Sequence, residues 1–387
     1  MVDGADWTTA LEDSVPEYVL RLSSGESPGR FLPCLEGTTA LGRRVALGFS
    51  CFALKLYTIL RLWEPLEANR KAGWIQFVQS FQVGEGLAAS RVFRGAFVDP
   101  AVVYAANTYW RYPRQLFYHA YSYACHPRAL LRDRLGFDRR VFREQVILAE
   151  TKQAIATLRD VGVVAHEAYR GIPLTAAGIR SHLSRLEWTR PWHAGGQASA
   201  LAMLVAAEAP RFLDAWTAHA LALACGAWFE EILDGETGAY FRGPRPRHNE
   251  LVNGAMKVLT ALDWLNVPIH RPERLIETCL MRPPSPAACD VVDAVYVLYR
   301  CGMVTTYRQG AVQSYCRQAL DLIRRHHNRD GGFSYQVGRS QTGYYGVQIT
   351  RGLAVSDLHG TLLMAWAVAM IVEILERNTP RWRVIRP

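Results

Sequence analysis

Residues 228–240 read WFEEILDGETGAY: the end of an amphipathic helix, a glycine at position 238, and an aromatic ring two residues on. The same ending occurs twice more. Residues 74–82 (WIQFVQSFQ) are followed by Gly95 and Phe97, and residues 322–330 (LIRRHHNRD) by Gly332 and Phe333. Phe97 and Tyr240 stand 143 residues apart, and Tyr240 and Phe333 93 apart, which suits three and two units of about 47 residues. A unit of that length is one helical hairpin with its loops. A lone hairpin cannot bury its apolar faces, so neighbouring units must stack.

The chain beyond residue 40 carries the same pattern. Apolar spacing predicts helices near 41–61, 66–82, 100–108, 114–131, 141–161, 174–187, 196–208, 211–233, 249–265, 271–281, 289–301, 307–327 and 355–376, while strand alternation is nearly absent. Several of these, such as 194–207, 251–265, 291–298 and 358–372, are apolar almost all round, as buried helices are. They nevertheless carry polar residues, read as first turns: Glu150 and Gln153, His193 and Gln197, His248 to Glu250 with Asn253, Asp290 and Asp293, and Asp357 with His359. Alternation of buried and amphipathic helices predicts an all-α fold, a single α/α toroid of about six hairpins, with the inner N-termini gathered at one mouth. Its domain runs over residues 36–387, behind a poorly organised N-terminal extension over 1–35.

The chain is 387 residues long, half apolar and 11% aromatic, and carries a formal charge of +9. That surplus suits an anionic small molecule, a polymer or peripheral contact with a membrane surface. The basic residues are interspersed with acidic ones and no reader motif occurs, which speaks against nucleic acid. Eight cysteines at 34, 51, 125, 225, 279, 289, 301 and 316 show no paired spacing and read as buried thiols of a reducing compartment. The acidic, weakly apolar N-terminus is unlike a signal peptide, so the expectation is a cytoplasmic protein. The apolar stretch 45–63 contains Lys55 and reads as a buried helix rather than a membrane span.

Asp290 and Asp293 lie at i and i+3, on one side of a helix start. Two close carboxylates in a dry site can share a proton and act as a general acid. Equally, they can cap the helix. Asn249, Asn253 and Lys257 recur every four residues, either as a stripe that binds oxygen anions or as ties to a neighbouring helix. His193 and Gln197 flank Gly195 and Gly196, where backbone can approach a ligand. The long segment 331–352 holds Tyr344, Tyr345 and Arg351 and reads as a functional loop or a packed lid. Asp357 and His359 start the last helix as a cap or a metal pair. No Walker loop, dinucleotide fingerprint, nucleophile elbow, HExxH or Asp-Asp-x-x-Asp cluster occurs.

Residues 71–74 (KAGW) with Gln82 and a following glycine resemble a degenerate glutamine-tryptophan repeat of squalene-hopene and related terpene cyclases. Residues 330–334 (DGGFS), with Gly338, Tyr344, Tyr345 and the 357–360 helix start, resemble the repeat shared with protein prenyltransferase β subunits. The resemblance implies the α/α toroid of that superfamily. It also implies Asp290 as proton donor to an alkene, tuned by Asp293, although the cyclase motif is Asp-x-Asp-Asp and this chain has Asp-x-x-Asp. Tyr296, Trp366 and Tyr345 would then shape the cavity or stabilise a cation. The prenyltransferase zinc ligands are an Asp, a Cys and a His, and adjacent Cys289 and Asp290 are not spaced like them. The expectation is an enzyme on a hydrophobic isoprenoid-type small molecule, with no resident cofactor and with magnesium and zinc left open. Its rivals are a carbohydrate-active enzyme on an acidic sugar, using His193, His248 or the tyrosine pair, and a non-catalytic scaffold.

Overall fold

The computed structural model describes residues 4–25, 27–84, 93–103, 139–375 and 382–387. These residues are mostly helical, with one two-residue-per-strand hairpin. The helices are α1 (Gly4–Arg21), α2 (Leu47–Ile59), α3 (Ala68–Gln79), α4 (Arg139–Asp160), α5 (Ala176–Ser184), α6 (Pro191–Glu208), α7 (Ala215–Glu231), α8 (His248–Leu265), α9 (Pro272–Leu280), α10 (Ala288–Gly302), α11 (Gln309–Arg324) and α12 (Leu358–Ile374). The expected helix over 114–131, all but the first residues of that over 100–108, and Cys125 lie outside the described residues.

Local chemistry sets the ends. Thr175, Asp214 and Asp357 cap α5, α7 and α12 by accepting the N–H of Gly178, Thr217 and Gly360. Pro191 opens α6, and Asn266, in the left-handed region, closes α8. The even-numbered helices are the buried class: all thirteen residues of α2 are buried, and α12 is buried nearly throughout. The odd-numbered ones bury a single stripe, as α11 does with Val312, Cys316, Ala319 and Ile323. Packing of the buried class is cyclic. Helix α2 contacts α4, α4 contacts α6, and so on through α8, α10 and α12, which returns to α2. The tightest of these contacts, α6 against α8, depends on glycine: a Cβ on Gly254 would sit 2.6 Å from Pro191, and one on Gly195 2.9 Å from the Cβ of Lys257.

The repeated sequence ending is a repeated corner. Isolated antiparallel bridges join Gln82 to Phe97, Leu233 to Tyr240 and His327 to Phe333, and each aromatic is wholly buried. Burial of such a ring stabilises by about 2–3 kcal/mol. Gly95, Gly238 and Gly331 each take a positive φ there. Phe97 and Phe333 donate their backbone N–H to Thr151 on α4 and Thr361 on α12, both at 3.0 Å. A fourth corner joins Ser23 to Phe31 after α1. Residues 1–35 therefore differ from the poorly organised extension expected. From residue 4 they form an outer helix whose Leu11, Val15, Tyr18 and Val19 are fully buried. Trp7 meets His327 and Phe333 edge-on, so α1 packs against the last corner of the chain. Leu11, Val15, Tyr18 and Leu22 keep helical spacing through Pro16, the one residue in the stretch that reads against a helix.

Among the described residues no helix is long and apolar enough to cross a membrane, and the 45–63 stretch yields only the thirteen-residue α2. The seven described cysteines are free, six buried and Cys289 half-buried.

Gly331 has φ +94° and a Cβ there would meet the Ser14 carbonyl at 2.7 Å, whereas Gly338, at φ +68°, has nothing within 4 Å. Gly331→Ala is expected to destabilise by about 2–3 kcal/mol and Gly338→Ala by about 1 kcal/mol, as read by urea denaturation.

Candidate functional site

A cavity of about 770 Å³ is lined by residues from all six helices of the cycle, by the 341–345 segment and by the tail at 385–387. The tail lies across the C-terminal ends of the buried helices. Arg383 N–H donates to the Ile59 carbonyl at 2.7 Å, Trp366 Nε1 to Ile385 O at 3.1 Å, and Trp264 Nε1 to Pro387 O at 3.4 Å. Arg386 pairs with Asp263, which also holds Arg300. At the opposite, N-terminal ends the cavity reaches the surface beside Trp192 and His193, both exposed.

Asp290 and Asp293 occupy different environments. Asp290 accepts from Asn249 Nδ2 (2.6 Å), Asn253 Nδ2 (2.7 Å) and Ser285 Oγ (2.9 Å), and it does not line the cavity. Both of its oxygens are thus engaged by side-chain donors outside the cavity. Asp293 is buried, lines the cavity, and has its Oδ2 without a hydrogen-bond partner among the described residues. Burial pushes its pKa up to about 6 against the opposing pull of Lys257, whose Nζ is 3.9 Å from Oδ1. Of the two carboxyls, Asp293 and not Asp290 faces the cavity. The Asn249–Asn253–Lys257 stripe divides in the same way: the amides tie α8 to α10, and only Lys257 reaches the cavity.

His193 and Gln197 both line the cavity, 3.1 Å apart, and Gln145 Nε2 donates to Gln197 Oε1 at 3.4 Å. Of the two glycines between them, Gly195 serves helix packing, and Gly196 faces the cavity with nothing within 4 Å of a Cβ. His359 also lines the cavity, stacked on Phe52 at 4.5 Å and on Tyr335 at 5.4 Å. Burial, then the charge of Lys257, lowers its pKa to about 4, so the ring is neutral. Its Nδ1 lies 3.0 Å from Gln341 Oε1, which assigns the proton to Nδ1 and leaves a lone pair on Nε2.

Tyr344 and Tyr345 reach the cavity on a hairpin, β1 (Gly343–Tyr344) and β2 (Val347–Gln348). Its two turn residues, Tyr345 and Gly346, both have positive φ, the geometry of a tight primed turn. Tyr344 packs on Phe49 and Phe52, and its hydroxyl occupies the space a Cβ on Gly48 would need. Trp366 lines the floor and Tyr296 stacks behind it at 5.1 Å, without lining the cavity. Arg351 and Asp357 stay outside. Arg351 is exposed and donates its N–H to Gly37 O, and Asp357 is a buried cap that also accepts from Tyr335 and Gln341 N–H. Among the described residues no group of His, Cys, Asp or Glu is arranged to hold a metal, and burial pushes the Cys289 thiol up to about 11.

Sequence reasoning did not single out Lys55, Lys152, Gln145 or Gln341 as lining residues. For the lysines the available signal was scarcity: the 44 basic residues include four lysines, at 55, 71, 152 and 257. The glutamines carry no comparable mark. No family model, curated protein or solved structure matches the chain.

The two aspartates should respond oppositely to amide substitution. Asp290→Asn takes an acceptor from Asn249, Asn253 and Ser285 and is expected to cost about 1–3 kcal/mol. Asp293 holds its proton more tightly when folded than at its ordinary value of 3.8. Its contribution to stability is therefore full below about pH 4 and lost as pH rises through about 6. Asp293→Asn should raise stability at pH 8 by up to about 2 kcal/mol and leave it unchanged at pH 4, as followed by thermal melts across pH.

Proposed function

We propose that the cyclic packing is an α/α toroid and that the chain is an enzyme acting on a hydrophobic, isoprenoid-type small molecule in its central cavity. The observation that carries this reading is Asp293: a buried carboxyl facing the cavity with one oxygen unpartnered and a pKa near 6. Such a group is a proton donor at mildly acidic to neutral pH. In this reading Asp293 is the acid and Asp290 the positioning residue, since it holds Asn249 and Asn253 against the start of α10. Walls of Phe52, Tyr344, Tyr345, Leu362 and Trp366 suit an apolar ligand, and their ring faces suit a cation formed by protonation. A scaffold role accounts poorly for an open cavity with an unpaired carboxyl oxygen.

One observation favours an acidic carbohydrate instead. Trp192, 38% exposed, stands beside His193 at the mouth, as a sugar-stacking platform would.

The deciding assay is turnover of a panel of isoprenoid alkenes and acidic oligosaccharides. Asp293→Asn should lower isoprenoid turnover at least a thousandfold with the circular dichroism spectrum intact. The wild-type rate should fall about tenfold per pH unit above pH 6, because only protonated Asp293 donates. Undiminished turnover in Asp293→Asn, or turnover confined to the oligosaccharides, removes the isoprenoid reading.

A further inference from the structure

Three of the chain's four lysines, Lys55, Lys152 and Lys257, line the central cavity, in a protein that otherwise uses arginine for its basic positions. Arginine is the better holder of anions, with a fork of donors that matches carboxylate and phosphate. What it lacks is a lone pair, since its guanidinium keeps its proton. Three of the four lysines but only two of the forty arginines, Arg190 and Arg386, line the cavity, and that enrichment points to amine chemistry rather than to charge alone.

The three amines are not equivalent. Lys55 is held by Asp160 at 2.6 Å and by the Arg386 carbonyl at 3.0 Å. Lys257 faces Asp293 at 3.9 Å. Lys152, on α4, has no hydrogen bond or ion pair among the described residues. We infer that Lys152 is a Schiff-base lysine, whose amine condenses with the carbonyl of an apolar aldehyde or ketone seated in the cavity.

The cavity supplies the two requirements of such a nucleophile, an uncharged amine and an acid that lines the same space. Burial, then the charges of Lys55 and Lys257, bring the pKa of Lys152 down to about 7 against the opposing effect of Asp160. Near pH 7 about half of it is free amine. The Nζ lone pair attacks the carbonyl carbon while the C=O π pair moves to oxygen. A proton passes from nitrogen to that oxygen, giving the carbinolamine. The Asp293 carboxyl, in the same cavity, protonates the hydroxyl, which leaves as water as the nitrogen lone pair closes the C=N bond. One water is released and nothing is oxidised or reduced. The cationic imine is then an electron sink that labilises a C–H or C–C bond next to the former carbonyl.

The inference rests on the catalytic reading of the cavity only in taking Asp293 as the acid, and its test needs no isoprenoid turnover. Full-length protein would be incubated with hexanal and sodium cyanoborohydride, and the reduced adducts mapped by peptide mass spectrometry. At pH 7 Lys152 should be labelled at least tenfold faster than Lys71, the lysine outside the cavity, with a rate half-maximal near pH 7. Lys152→Arg should lose that adduct and keep labelling at Lys71 and the α-amino group. Labelling of Lys152 no faster than Lys71, or a rate still climbing above pH 9, would overturn the assignment. Both readouts come from the wild-type protein, so they stand whether or not the variant folds. A panel in which no isoprenoid is turned over leaves the labelling result intact, so the two proposals fail separately.

Discussion

Six buried helices run the same way around the cavity, and that common direction is the constraint from which the rest of the structure follows. Aligned peptide dipoles place a partial positive charge at each N-terminus, and here those termini meet at one end. Carboxylates answer them. Asp99 accepts from Ala46 and Leu47 N–H at the start of α2, Glu250 from Trp192 N–H at the start of α6, and Asp357 from Gly360 N–H at the start of α12 as well as from Tyr335 and Gln341 N–H in the loop before it. Asp290 does the equivalent for α10 through the amides of α8. Once those sites are occupied, Asp293 is left one turn further in, past the reach of the helix-start donors.

Closure of the cycle is the second demand, since the first and last hairpins must find each other across the whole chain. Three contacts achieve it. Helix α12 packs on α2, the α1 outer helix sits on the His327–Phe333 corner, and the loop before α12 is stitched to residues 37–39 by the Thr38–Thr350 bridge and the Thr39-to-Ile349 hydrogen bond. Gly42 lets the backbone come that close, because a Cβ there would overlap the Ile349 carbonyl. The same loop carries the Tyr344–Tyr345 hairpin into the cavity, so the stitching that joins the two ends of the chain also places two of its aromatic walls.

Much of the fold was legible because it repeats. The glycine-aromatic ending marks three corners that the structure closes in the same way, down to the threonine that receives Phe97 and Phe333. The fourth corner, at Phe31, carries the same ending, with the Leu11, Val15, Tyr18 and Leu22 stripe ahead of it and Gly29, at φ +84°, two residues before the ring; Pro16 inside α1 is the one residue there that reads against a helix. Within the cavity, helix periodicity could bring Asp290 and Asp293 to one side of α10, and it did. It could not say which of them faces α8 and which faces the open space, since that depends on rotation of α10 against a neighbour distant in sequence. Arg351 misled for a related reason: the 331–352 loop folds back on residues 37–39, a contact no local pattern encodes. Tyr296 is a matter of degree, one ring behind the wall rather than in it.

The tail at 382–387 supplies part of the cavity wall without belonging to any helix. Arg383 N–H, Ile385 O and Pro387 O tie it to α2, α12 and α8, and Arg386 to Asp263, so one short irregular segment clasps three of the six buried helices at once. Helices far apart in sequence are thereby held in register at the same end of the cavity by six residues. Loosening that segment would be felt by all three helices together, so the wall it forms and the spacing of the helices around it are set by one and the same set of contacts.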